Sequence, residues 1–199
     1  MMRQNFAPAT VLVEEIHEGA IRVGALQHSD LGLGDCEDFD GEMVIVDGRC
    51  YRVRCDGVVR ECEQDVISPF ALVTRFTADK TVTLDNCPDM AHLISHFDSL
   101  RTSDTLLFAL RVDGYFEYVH TRALCRPVGR FPADHIQPDF KLYNIPGTLV
   151  GFWSPSHATT LNTAGYHLHF LSHDHESGGH LLQCRGTNLR LQIQRLGYL

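Results

Sequence analysis

The chain is short of positive charge: 17 lysines and arginines stand against 25 aspartates and glutamates, a formal net charge of −8 over 199 residues. No basic cluster with interleaved aromatics offsets the deficit, so the composition argues against a nucleic acid partner. No apolar run comes near the roughly 20 residues that cross a bilayer, and the N-terminal run Met1 to Pro8 lacks the apolar core of a secretory signal. No membrane partner is expected. Seven cysteines are present (Cys36, Cys50, Cys55, Cys62, Cys87, Cys125 and Cys184), but none are spaced as Cys-x-x-Cys, which removes zinc ribbons and thioredoxin-type sites. Free, mostly packed thiols in a reducing cytoplasm are the expectation. A Gly-x-Ser-x-Gly elbow and a phosphate loop are both missing, and Gly32-Leu33-Gly34 lacks the following helix that a dinucleotide site needs. That glycine stretch reads as a flexible loop.

Apolar residues make up 44% of the chain and charged ones 21%, the balance of a globular protein able to bury a core. Alternation is the dominant pattern. Met43 to Val46 and Cys50 to Val53 flank Asp47-Gly48, whose residue types suit the φ > 0 positions of a tight hairpin turn. Leu106 to Val112 and Tyr115 to His120 flank Asp113-Gly114 and read as a second such hairpin. Phe70 to Phe76, Gly147 to Trp153 and Arg190 to Gln194 read as further strands, while Val11 to Ile16 fits strand or short helix equally. Ala20 to Leu26 looks helical or turn-rich, and Met90, Leu93, Ile94 and Phe97 after Pro88-Asp89 mark the best helix. Without linkers, repeats or regular βαβ units, the chain reads as α+β: a mainly antiparallel, strongly curved sheet with a few helices. It is taken as one unit over 1–199, with two packed lobes (about 1–100 and 101–199) as the finer division.

The most informative stretch is Gly165-Tyr166-His167-Leu168-His169-Phe170, followed by Gly178-Gly179-His180. Side chains on a strand alternate faces, so His167 and His169 project the same way. The polar run from His173 to Gly179 reads as a turn that returns His180 beside them. Three imidazoles on two rigid strands leave a metal ion with open positions, the catalytic arrangement for zinc and its neighbours. His173 and His175 lie in the turn and read as solvated, and Cys184, near the histidines, reads as packing. A cupin pattern is strained, because Glu176 falls too far from His169. Glu42, at a Gly-flanked strand start, fits either an acid/base or a solvated turn residue. Arg122, closing an apolar strand, fits either a bidentate carboxylate clamp or a surface arginine.

These motifs, taken in order, resemble the α-acetolactate decarboxylase family. Gly32-Leu33-Gly34 with Asp40-Gly41-Glu42-Met43 is similar to its N-terminal signature, Ser68-Pro69-Phe70-Ala71 to its Pro-Phe-Ala segment, and Thr121-Arg122 to its arginine. Pro146 to Phe152 is similar to its Gly-Thr strand, and the histidine hairpin to its zinc motif. The resemblance implies a curved, partly barrel-like α+β fold. It implies His167, His169 and His180 as ligands of Zn(2+) or another divalent transition metal, Arg122 as the substrate anchor and Glu42 as the acid/base. It also implies departures. Gly34-Asp35-Cys36 stands where the family has Gly-Thr-Phe, which puts the carboxylate of Asp35 at the pocket edge, and Gly129 to Ala133 replaces a Tyr-Pro-Pro-like stretch. The family's second glutamate sits in a C-terminal tail; no glutamate follows Glu176 here, so that tail is expected to be absent.

The chemistry implied is decarboxylation of a 2-hydroxy-3-oxo acid such as acetolactate, giving acetoin through a metal-stabilised enediolate. The alternative is the same chemistry on another hydroxy-keto substrate, by an isomerase, aldolase or cyclase of a specialised pathway. The third reading is a non-catalytic metal-binding protein. A small hydroxy-keto acid is the expected partner. The oligomeric state stays open, with a homodimer as the candidate assembly.

Overall fold

The computed structural model describes residues 12–15, 21–26, 28–36, 41–125, 137–156 and 164–197. The first main sheet has the order β1 (Leu12–Glu15), β8 (Phe70–Thr74), β3 (Leu31–Asp35), β4 (Glu42–Val46), β5 (Arg49–Val53), β6 (Val59–Glu61), every neighbouring pair antiparallel. The second has the order β10 (Phe108–Arg122), β11 (Asp139–Ser154), β12 (Gly165–Ser172), β13 (Gly178–Arg195), β9 (Lys80–Cys87). Strand β10 pairs with β13 as well as with β11, so this sheet curls back on itself. Two short strands, β2 (Ile21–Arg22) and β7 (Ile67–Ser68), pair separately. The α+β expectation with curved antiparallel sheets holds, with one α-helix among the described residues, α1 (Met90–Leu100). The chain changes sheets between Thr74 and Lys80, so β9 and α1 belong with the later strands.

The two sheets face each other across a shared core. Leu31, Leu33, Val44, Val46, Tyr51 and Leu72 of the first pack with Ala109, Val150, Phe152 and Leu171 of the second. The opposite face of the first sheet, Met43, Ile45, Ala71 and Val73, is covered by Val23 and Leu26 of a 3-10 turn. Strand β4 is therefore buried on both faces, which accounts for its unbroken Met43-Val44-Ile45-Val46 run. Helix α1 closes the outer side of the second sheet with Leu93 and Phe97. Its start is set by Asp89, whose carboxylate accepts from the His92 N–H at 2.8 Å.

Three local expectations are revised or resolved. Val11 to Ile16, ambiguous in period, is a strand over Leu12–Glu15. Gly32-Leu33-Gly34 is a central strand rather than a loop. A Cβ on Gly34 would lie 2.2 Å from the Phe70 carbonyl oxygen, so glycine here serves close approach of β3 and β8. Asp113-Gly114 is not a turn either: β10 runs straight through it. Asp113 is satisfied within the sheet, accepting from Arg111 Nε at 2.9 Å and Thr148 Oγ1 at 2.8 Å, and Gly114 pairs with Gly147. The other Asp-Gly pair does turn, with Asp47 at φ 51 and Gly48 at φ 77. No helix among the described residues is long and apolar enough to cross a membrane.

Candidate metal centre

Strand β12 carries His167 and His169 on one face, and the β12–β13 register sets His180 directly opposite His169. His167 Nε2 lies 3.1 Å from His169 Nε2 and 3.1 Å from His180 Nδ1, and all three nitrogens fall within 4.8 Å of one another. The expected turn holds: Ser172 and Asp174 cap it through Ser172 Oγ and the Glu176 N–H, leaving His173 and His175 exposed. His175 packs against the Tyr51 ring instead of joining the cluster. Cys184 is fully buried in the core, in its packing role.

The second-sheet histidines meet the first sheet at β4. The His169 Nδ1–H donates to the Met43 carbonyl at 2.8 Å, which fixes the tautomer and turns the Nε2 lone pair toward the other two rings. Glu42, one residue earlier, places Oε2 3.4 Å from His169 Nε2. Asp35 ends β3 as the cross-strand partner of Glu42, and Ser68 Oγ donates to the Asp35 carbonyl at 2.7 Å. The Phe70 ring lies nearly parallel to that of His167, 6.4 Å away between centroids.

Arg122 ends β10 as the register partner of His180, just after a register shift between His120 and Thr121. Such a bulge re-aims the following side chain. Its Nη1 donates to Gln137 Oε1 at 2.9 Å, and its buried Nε has no partner among the described residues. A disulfide between Cys55 and Cys125 ties the strand end, three residues past Arg122, to the β5–β6 connection. The expectation of uniformly free thiols is thus corrected for this pair: the fold brings their Cα atoms to 5.1 Å across 70 residues of chain.

Electrostatics separate the acids from the imidazoles. Burial, then the Arg122 charge, pushes His167 down to about 4, and burial with the charges of His167 and Arg122 pushes His180 down to about 3. His169, wholly buried, is lowered for the same reasons. Burial, and next the Asp35 charge, raises Glu42 above the ordinary carboxylate range, with Arg122 opposing. Burial likewise raises Asp35, opposed by its hydrogen bond with Glu42 and by Arg122. Three neutral imidazoles whose lone pairs converge, and which do not retain a proton, fit a cation between them. Among the described residues this is the one group of histidines, cysteines and carboxylates that converges so, and it could hold a metal ion.

The structure brings together every residue singled out from the sequence: His167, His169, His180, Glu42, Arg122 and Asp35. The altered stretch Gly129 to Ala133 lies outside the described residues. Sequence reasoning missed the Met43 carbonyl, which carries no side-chain signal, and the roles of Thr121 and Gly179. Thr121 Oγ1 donates to the Gly178 carbonyl at 2.9 Å, and a Cβ on Gly179 would lie 2.5 Å from the Arg122 carbonyl oxygen, so both fix the start of β13. The repeated glycine before His180 was the available signal.

A model of the family described as Alpha-acetolactate decarboxylase matches residues 5–199. Alpha-acetolactate decarboxylase of Raoultella terrigena is 38% identical over 178 residues, covering 87% of this chain and 69% of the relative. That of Methanosarcina mazei is 36% identical over 172 residues, covering 84% of this chain and 60% of the relative. The crystal structure of alpha-acetolactate decarboxylase from Bacillus subtilis strain 168 superposes with a TM-score of 0.84 at 31% identity, covering 91% of this chain and 80% of that one. With its sheet order, its histidine cluster and this agreement along nearly its whole length, the chain belongs to the alpha-acetolactate decarboxylase family.

Proposed function

We propose that this protein is a metal-dependent carbon–carbon lyase that decarboxylates acetolactate to acetoin. The observation that carries the reading is the convergence of three proton-poor imidazoles beside a buried, proton-retaining carboxylate, in a chain of this family. His167 Nε2, His169 Nε2 and His180 Nδ1 would hold zinc or another divalent transition metal. Such an ion, when bound, supplies Lewis-acid stabilisation of the negative charge that builds as carbon dioxide leaves.

The chain's own residues do the rest. Arg122 offers its Nε, which has no hydrogen-bond partner among the described residues, and its guanidinium fork to the substrate carboxylate, the geometry that suits two oxygens. Loss of carbon dioxide leaves an enediolate of the substrate that needs one proton on carbon. Glu42, its hold on a proton raised by burial and by the neighbouring charge of Asp35, delivers that proton from Oε2, the oxygen facing His169. Asp35, hydrogen-bonded to Glu42, orients the donor. The Met43 carbonyl holds the His169 ring against rotation throughout.

Asp35 also favours a second reading. A second carboxylate at the pocket edge changes what the wall tolerates, and a different hydroxy-keto compound would use the same groups. One experiment separates the two. Purified, zinc-loaded protein is incubated with racemic acetolactate and acetoin is measured beside bound metal, for wild type and for His167→Ala. Acetoin from wild type alone is the expected result; no acetoin from wild type with the metal bound refutes the decarboxylase reading.

A further inference from the structure

Away from the metal centre, the first sheet gathers three thiols. Cys36 follows β3, Cys50 lies in β5, and Cys62 follows β6. The Cys62 N–H donates to the Cys50 carbonyl at 2.8 Å, so these two residues stand opposite each other on neighbouring strands. A hydrogen-bonded pair on antiparallel strands has Cα atoms about 5.5 Å apart, inside the range of about 4.4–6.8 Å that a disulfide spans. Cys36, just past the end of β3, is buried with Cys50 in the cluster against which Cys62 packs, so both thiols are neighbours of Cys62.

Access is unequal. Cys36 and Cys50 are buried, whereas Cys62 is only partly buried and lines two cavities. The larger, about 380 Å³, is walled by Arg52, Arg54, Arg60, Glu61 and Glu63 as well. The neighbouring Cys36 and Cys50 thiols, and after them the Arg52 guanidinium, lower the Cys62 thiol to about 4 despite its partial burial. A partly exposed thiol of lowered pKa that lines a cavity and is flanked by two further thiols is the arrangement of a redox-sensitive cysteine. The same chain carries its own contrast: Cys87 and Cys184 also lie in one core cluster, but both are wholly buried.

We propose that Cys62 is an oxidation site for peroxide, resolved as a disulfide by one of the two buried thiols packed beside it, Cys50 across the strand pair or Cys36. The Cys62 sulfur attacks one peroxide oxygen, the O–O bond breaks, and the departing hydroxide takes up a proton to leave as water. The resulting sulfenic acid is attacked by the neighbouring thiol; the S–O bond breaks, the S–S bond forms, and a second water leaves. Two thiols and one hydrogen peroxide thus give one disulfide and two waters, the sulfurs being oxidised and the peroxide reduced.

The test uses the full chain, folded, with hydrogen peroxide at equimolar amount, quenched by N-ethylmaleimide and mapped by mass spectrometry of the digest. The expected result is a linked peptide pair joining Cys62 to Cys36 or Cys50. It should form about tenfold or more faster than any product at Cys87 or Cys184 and be reversed by dithiothreitol. Cys62→Ser should abolish the link; should that variant fold poorly, the wild-type rates at Cys62 and Cys87 decide the matter alone. Cys62 oxidised no faster than Cys87, or oxidised without a link to either neighbour, overturns the proposal.

Discussion

Replacing Gly179 by alanine tests whether the start of β13 is what assembles the three histidines. Gly179 has φ +124, and an added Cβ would lie 2.5 Å from the Arg122 carbonyl oxygen and 3.2 Å from Thr121 Cβ. The oxygen belongs to backbone and cannot rotate aside. Alanine must therefore push β13 away from β10, or change φ, at the residue immediately before His180. A non-glycine residue in such a conformation costs about 1–3 kcal/mol, and forcing one more carbon into a packed site adds about 1–3 kcal/mol. Relief by moving His180 transfers the loss to metal binding. At about 1.4 kcal/mol per tenfold, the lower bound of about 2 kcal/mol is roughly a 30-fold weaker zinc site. Strain retained in the fold instead lowers the melting temperature by about 4–8 °C for the same 2 kcal/mol. Zinc affinity by competition with a chromophoric chelator, and thermal melts with and without zinc, read both outcomes. Gly48→Ala is the control, because Gly48 has φ +77 but nothing within 4 Å of the new carbon. A Gly179→Ala protein that binds zinc within about threefold of wild type and melts no lower than Gly48→Ala refutes the reasoning.

Glu42→Gln should lower the rate of acetoin formation by about 10²–10⁴ with zinc affinity little changed; steady-state kinetics beside chelator competition would show a loss confined to KM if the role is wrong. In the metal-free protein, His180 titrates at about 3 against a usual value of 6.5. The unfolded chain therefore takes up that proton first, and the stability His180 contributes is full above about pH 6.5 and lost as pH falls toward its folded value. Urea denaturation of wild type and His180→Gln should show the stability difference shifting against wild type between pH 7 and pH 4; a difference independent of pH would contradict the assignment. Cys125→Ser opens a loop spanning 70 residues, worth about 4 kcal/mol on the chain-entropy account, and frees the strand end that carries Arg122. A urea midpoint shift matching that loss should accompany a raised KM for acetolactate, and an unshifted midpoint would show that the bond does not constrain the fold.

How much of this is legible in the sequence depends on whether the signal is local. Asp47-Gly48 and Asp113-Gly114 are the same dipeptide between similar apolar runs, yet one turns and the other lies in β10. Nothing within a few residues distinguishes them. The difference is tertiary: Thr148 of β11 donates to Asp113 across the sheet, and Gly147 lies across from Gly114, so the extended chain keeps the carboxylate bonded. Gly32-Leu33-Gly34 failed in the opposite direction. Two glycines in three residues read as freedom, whereas the Phe70 and Leu72 carbonyls approach closely enough that no side chain fits. Helix α1 succeeded because its period, its Asp89 cap and its buried Leu93 and Phe97 all point the same way.

The site divides along the same line. His167 and His169 share a face by strand periodicity alone, and the turn from His173 returns His180 by its residue types, so the ligands are a local pattern. Glu42 and Arg122 are not: each had a surface reading at least as good as the functional one, and only the resemblance to a known family chose between them. The structure supplies the physical reason for the choice. Glu42 is buried because β4 is covered on both faces, and it meets the histidines because the two sheets pack where the Met43 carbonyl captures His169. That capture commits a backbone group, which no residue type announces. Asp35 follows from the β3–β4 register, held close by the glycines that looked like a loop. The residues that seemed least structural therefore set the charge beside the proton donor, and with it the protonation state on which the proposed chemistry depends.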